Sequence, residues 1–262
     1  MGGPFDDLRL AVVDVETTGI RANEDRIIEV AVVTVDGSGV EHGRWSTLIR
    51  PDDRPLTGRL QSVTNAPTFG QIAGDLIERL SSGLIVGHNV RFDLRLIDAE
   101  LRRMGIELPA VSFLDTYKVA TQLNVDTPNR SLAVVCDALG VEFHQWHTAE
   151  GDAEATAKVT VALLERAGVW GRTDIQALCG SWYGETSLWP DITPTGVGLR
   201  RDPGVFPPGG AQPGSAAVWK PSWRRYGTGE SSGSGSENAL SFTLDLSDVI
   251  RSSTINRVLK FG

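Results

Sequence analysis

The chain contains only two cysteines, Cys136 and Cys179, and they are not in CxxC spacing. That scarcity argues against a disulfide framework and against a cysteine zinc site. No stretch approaches about 18 uninterrupted apolar residues, so the sequence offers nothing to span a membrane. The opening residues, MGGPFDDLRL, lack the basic region and apolar run of a signal peptide. These absences together predict a soluble protein of a reducing compartment, the cytoplasm. A surplus of positive charge is missing too. Against 25 basic side chains stand 33 acidic ones, a net charge of −8. Proteins that coat nucleic acid by bulk electrostatics are usually basic, so that class is disfavoured. An enzyme that holds one nucleic-acid end in a groove is not excluded.

At 262 residues and 40% hydrophobic content, the chain can bury a sizeable core. Its character changes near residue 170. Residues 1–169 carry 16 basic and 25 acidic side chains, whereas 170–262 carry 9 and 8. Seven of the 13 prolines fall between Pro190 and Pro221, and GTGESSGSGSEN at 227–238 reads as a flexible polar linker. The organisation predicted is a packed domain over 1–169 and a Pro/Gly/Trp-rich, largely irregular extension over 170–262.

In the first part, Leu8–Val15 is a continuous apolar run that reads as a buried central strand. Ile27–Val35 reads as a second strand, DGSG at 36–39 as a turn, and Val40–Ile49 as its return. Helical spacing marks Phe69–Leu80. A short strand at Leu84–Val86 precedes an amphipathic helix over Arg91–Met104. Val111–Leu114 reads as a last strand, with helices at Thr116–Gln122, Ser131–Leu139 and Ala149–Ala167. Strands first, then strands alternating with helices, predict an α/β domain with a mixed sheet.

Three acidic segments stand out. In Asp14-Val15-Glu16-Thr17-Thr18-Gly19, residues i and i+2 of a strand share one face, so Asp14 and Glu16 present adjacent carboxylates. Like charges that close repel unless a cation lies between them. In Gly87-His88-Asn89-Val90-Arg91-Phe92-Asp93, Asp93 falls in a helix's first turn. There an acid also favours the helix dipole, with Asn89 as cap, so a purely structural role is available. In His147-Thr148-Ala149-Glu150-Gly151-Asp152, the last aspartate starts a helix and His147 precedes it by five residues. His144 has no such motif around it and reads as structural.

Carboxylates at strand ends and helix starts could converge on one edge of a sheet. Magnesium-like ions take oxygen ligands. Two such ions about 3.5–4 Å apart can activate water and stabilise the leaving oxygen of a phosphodiester. A histidine, with an unperturbed pKa of about 6.5, can take the water's proton. The set therefore points to metal-dependent phosphodiester hydrolysis.

The ordered segments VVDVETTG at 12–19, GHNVRFD at 87–93 and HTAEGDAEAT at 147–156 resemble the DEDDh exonucleases. That family includes the proofreading epsilon subunit of bacterial DNA polymerase III, ribonuclease T and oligoribonuclease. SFLDT at 112–116 and SLAVVCDALG at 131–140 look like its proofreading branch, and the likeness covers about residues 8–168. The resemblance implies a ribonuclease-H-like mixed sheet flanked by helices, with two Mg²⁺ or Mn²⁺ ions. It implies Asp14, Glu16, Asp93 and Asp152 as metal ligands and His147 as general base. A tyrosine subgroup places its tyrosine four residues before the last aspartate. That position is Thr148 here, which selects the histidine subgroup. The implied reaction removes nucleoside 5′-monophosphates from a 3′ end, with Thr17, Thr18, His88 and Asn89 close to the substrate.

Arg91, Arg95 and Lys118 could meet phosphates, though solvated helix charges read the same way. Beyond residue 169 lie Trp170, Trp182, Trp189, Trp219 and Trp223, unusual for a disordered linker. They suit packing onto the domain or docking to a polymerase or repair-complex partner better than base stacking. Ala239–Gly262 ends the chain as a tethered docking segment would. The leading reading is an exonuclease acting on single-stranded or frayed DNA in proofreading or repair. The alternatives are an exoribonuclease and a docking protein whose tail is its main functional element.

Overall fold

The structure is a computed structural model, and it describes residues 8–142, 147–168 and 175–200. Six strands form one mixed sheet in the order β3-β2-β1-β4-β5-β6. They are β1 Arg9–Thr17, β2 Ile27–Asp36, β3 Glu41–Leu48, β4 Leu84–Gly87, β5 Val111–Asp115 and β6 Cys179–Trp182. The helices are α1 Phe69–Ser81, α2 Arg91–Arg103, α3 Thr116–Gln122, α4 Leu132–Ala138 and α5 Ala149–Arg166. β1, β4 and β5 are parallel, while β2, β3 and β6 pair antiparallel. This is the helix-flanked mixed sheet that the sequence predicts, and most predicted elements match to within a residue or two.

The two faces of the sheet follow from the alternation of side chains along its central strands. Leu10 and Val12 of β1, with Ala31, Val33 and Val35 of β2, pack beneath α3, α4 and α5. Ala11, Val13 and Val15, with Val30 and Val32, pack beneath α1 and α2. Strands buried on both faces need apolar residues at every position, which explains the unbroken run that opens the domain. The same alternation assigns Asp14 and Glu16 to the α5 face. Small residues along α5 (Ala149, Gly151, Ala153, Ala155 and Ala157 among its buried positions) bring that helix close to the sheet.

The β2–β3 turn is built by Asp36, whose Oδ1 accepts the backbone N–H groups of Ser38 and Val40. Gly39 takes φ of 87°, a conformation that favours glycine.

One expectation needs correction. The domain edge predicted between residues 169 and 170 is not the edge of the fold, because part of the extension completes the sheet. β6 pairs with β5, and Gly180 is required there: a Cβ would lie 2.7 Å from the Phe113 ring. The chain then crosses the α1–α2 face as a strap without regular structure. Ala110 N–H donates to the Thr186 carbonyl, and Thr195 and Gly196 donate their N–H groups to the buried Asp75 carboxylate. At the opposite edge of the sheet, Leu48 N–H donates to Leu199 O, and Leu199 N–H to Thr47 Oγ1. Trp182 and Trp189 pack on this core, the first of the placements weighed for the tryptophans. Each of the strap's bonds joins residues far apart in sequence, so local patterning carries no sign of them. Trp170, Trp219, Trp223, His144, the linker at 227–238 and the segment 239–262 lie outside the described residues.

Candidate metal and catalytic centre

The site forms where β1 ends. Asp14 and Glu16 project from β1, and Asp152 projects from the first turns of α5. One carboxylate oxygen of each lies within 4.8 Å of the others. Asp93 approaches from α2: it is 4% exposed, and its Oδ1 accepts the Val15 N–H at 3.1 Å. That bond joins the start of α2 to the middle of the motif carrying Asp14 and Glu16. The four acids come from three elements, brought together by the sheet and the helices on both faces.

Crowding and burial make this cluster costly as a set of bare anions. Burial pushes Asp93 up to about 8 and Asp152 up to about 6, the latter with help from the charge on Glu16. Asp14 is raised well above the usual carboxylate range by burial and by the charges of Asp93, Asp152 and Glu16. Only the neighbourhood and backbone of His147 act to lower Asp152. Asp152 Oδ1 is also buried without a hydrogen-bond partner among the described residues. A buried acceptor left bare costs about 1–3 kcal/mol, more if charged. A divalent cation would remove both penalties at once, and the all-oxygen donor set suits a hard ion. The residues therefore fit the metal chemistry expected of them.

His147 ends the loop that enters α5. Its φ of 63° is left-handed, and its side chain is exposed. Thr148 follows as the N-cap, accepting the Gly151 N–H. The helix start is gripped from β3. Arg44 donates to Glu154 at 2.7 Å and lies 3.6 Å from Glu150, while Ser46 Oγ donates to Glu150 in a short bond. Glu150 and Glu154 are one turn apart, so they share a face, and Asp152 between them points elsewhere.

The four residues expected near substrate are engaged within the protein. Thr17 Oγ1 donates to Gly19 O, and Thr18 Oγ1 to Asp25 Oδ1. This turn is secured by Arg26, whose guanidinium meets the buried Glu100 through two bonds of 2.8 and 2.9 Å. His88 places Nδ1 2.8 Å from Thr116 Oγ1 and Nε2 2.6 Å from the Arg130 carbonyl. Since a carbonyl only accepts, Nε2 carries the proton, and burial lowers this imidazole's pKa. Asn89 is exposed with φ of 62° and donates its N–H to Asp115 Oδ1. It is not the cap of α2: the cap position is Val90, with no side-chain bond. Arg91 and Arg95 donate to the carbonyls of Ser181 and Ile20. Lys118 is exposed.

Sequence reasoning missed Glu29, which is 2% exposed and registered opposite Glu16. Its charge adds to the repulsion at Asp14 and Asp152. A lone acid inside the apolar run IIEVAVV was the available signal. Asp115 and Arg44 were missed as well. No local pattern marks them, because their partners lie on other elements.

Comparison with known proteins bears on the same region. The family model described as RNase_T, exonuclease, matches residues 11–160. DNA polymerase III subunit epsilon of Treponema pallidum is 31% identical over 160 residues, which make up 58% of this chain and 74% of that protein. The 3′-5′ exonuclease DinG of Bacillus subtilis is 31% identical over 166 residues, 60% of this chain but only 18% of DinG. The chain thus spans about three quarters of the first and under a fifth of the second. Among solved structures, a full-length 3′-exonuclease superposes with a TM-score of 0.52 at 16% identity, over 73% of this chain and 96% of that one. That likeness concerns the fold.

Proposed function

The chain belongs to the exonuclease family whose model spans residues 11–160, and from that premise we propose that it removes nucleoside 5′-monophosphates from the 3′ end of single-stranded or frayed DNA. The observation that carries this reading is the oxygen cluster of Asp14, Glu16 and Asp152 with the bare Asp152 Oδ1. Asp14, Glu16, Asp93 and Asp152 would hold two Mg²⁺ or Mn²⁺ ions, which would supply charge for the attacking and leaving oxygens of the phosphodiester. His147, exposed beside the cluster, accepts the proton of the attacking water as its oxygen bonds to phosphorus and the P–O3′ bond breaks. It stands in a left-handed conformation directly before Thr148, the N-cap of α5. Asp93, bonded to Val15 N–H, fixes the start of α2 against β1. The acidity of the domain is consistent with this site, because the substrate meets cations rather than a broad basic face.

The likeness to an epsilon subunit of DNA polymerase III supports DNA over RNA. It also supports a polymerase or repair complex as the partner of residues 170–262. Among the described residues no helix is long and apolar enough to cross a membrane. The test is digestion of 5′-labelled single strands, as DNA and as RNA, with magnesium, manganese or EDTA. Stepwise, metal-dependent shortening from the 3′ end that is lost in Asp14→Ala is the expected result. Preference for the RNA strand would overturn the DNA assignment, and cleavage that survives Asp14→Ala would overturn the site.

A further inference from the structure

Beside the carboxylates, the same edge of the sheet carries an aromatic ring that the fold does not use. Tyr117 is 43% exposed. It follows Asp115 at the end of β5, and β5 lies next to β4, which lies next to β1. Gly87, the last residue of β4, sits against the backbone of Val13, one residue before Asp14. Gly87 is also paired with Asp115, so two strand spacings of about 4.8 Å separate Asp115 from Val13, the neighbour of Asp14. A ring at that distance is within reach of the nucleotide next to one held at the carboxylates.

The surroundings of Tyr117 are rigid. Asp115 Oδ1 accepts the N–H of Asn89 at 2.9 Å and that of Tyr117 at 3.1 Å, clipping the two strand ends together. The His88 ring, tied at both nitrogens, meets the Tyr117 ring edge-on, with centroids 5.9 Å apart and planes at 69°. Among the described residues neither the Tyr117 hydroxyl nor the Asn89 amide has a hydrogen bond. An exposed ring held from behind, beside an unengaged amide, offers stacking together with a donor and an acceptor. That chemistry suits an unpaired nucleobase. The hydroxyl and the amide could also meet a phosphate, so it is the exposed ring face that points to a base.

We propose that Tyr117, with Asn89 beside it, is the stacking platform for the base immediately 5′ to the terminal nucleotide, selecting unpaired strands. This rests on the reading of the carboxylate cluster as the hydrolytic site. In that role His88 is a positioning residue: it sets the Tyr117 ring and touches no substrate.

The test uses the full chain and two substrates. One is the p-nitrophenyl ester of thymidine 5′-monophosphate, which has no second base. The other is a single-stranded oligodeoxynucleotide with 2-aminopurine at the penultimate position. Tyr117→Ala should raise KM for the oligonucleotide about tenfold and abolish quenching of 2-aminopurine on binding in calcium. Ester hydrolysis and thermal melting should stay at wild-type values, and Tyr117→Phe should retain the quenching. Unchanged KM and quenching in Tyr117→Ala would overturn the platform. If the wild type hydrolysed neither substrate, the hydrolytic reading would fail by itself, and the quenching measurement would still decide the fate of Tyr117.

Discussion

The two arms of the site are held by different physics. On the β1–α2 arm the fastening is buried. Asp93 is bonded to Val15 N–H, and Arg26 and Glu100, 7% and 2% exposed, make a two-bond ion pair beneath the Thr17–Gly19 turn. On the α5 arm the fastening is at the surface: Arg44 and its partners Glu150 and Glu154 are each about a quarter to a third exposed. A buried pair that loses one partner strands a charge in a medium that cannot solvate it. A half-exposed pair passes its charge to water. The β1–α2 arm should therefore be brittle and the α5 arm forgiving, although each delivers acid to one cluster.

The largest test of that contrast is Asp93→Asn. It removes charge while leaving an oxygen for the Val15 N–H. Activity should fall about a thousandfold, the equivalent of about 4 kcal/mol of lost transition-state stabilisation. In EDTA at pH 8 the same variant should melt at a higher temperature than wild type, because a buried charge is gone. A drop in melting temperature there would mean that Asp93 is structural first.

Next comes a paired stability measurement. Glu100→Ala should cost about 1–3 kcal/mol in denaturant unfolding, because it leaves the buried Ile27 N–H without its acceptor and takes two bonds from Arg26, which keeps Asp53 at 2.7 Å. Arg44→Ala should cost about 1 kcal/mol or less, with an increased magnesium requirement that excess manganese rescues. Equal costs would erase the distinction between the arms.

A smaller effect concerns pH. Asp93 and Asp152 are raised to about 8 and about 6. The folded protein without metal therefore binds more protons than the unfolded chain across that range. Its stability should rise as pH falls from about 8 to about 6, the reverse of the usual trend for salt-bridged carboxylates. Magnesium should flatten this slope by holding the acids ionised, and melting curves with EDTA and with magnesium would show both behaviours. Smallest of all is Arg21→Ala. It breaks a pair with Glu24 whose side chains are 72% and 67% exposed, and melting and turnover should not change.

The legibility of the site follows the same division. Asp14 and Glu16 could be read as neighbours because a strand's two-residue period is local, and the structure sets them together on the α5 face. Asp152 could be placed near a helix start from its own segment. Thr18 and His88 could be recognised as polar groups beside these motifs, yet their actual partners, Asp25, Thr116 and the Arg130 carbonyl, lie outside the motifs. Glu29, Asp115 and Arg44 were not legible as parts of the site. Each acts through a strand neighbour or a facing helix, and adjacency across a sheet leaves no periodic signal along the chain.

The sequence by itself determined the mixed α/β architecture, most element boundaries, and the order of the acids along the chain. Hydrophobic period and turn chemistry are properties of short windows, and in this chain they agree with the final fold. The tertiary structure alone decided that part of the Pro- and Gly-rich extension is built into the domain, adding β6 to one edge and a bridge at Leu199 to the other. It also decided that Asp14, Glu16 and Asp152 crowd together beside the buried Asp93. Both outcomes depend on contacts between residues far apart in sequence, and their energy exists only once the sheet has brought those residues together.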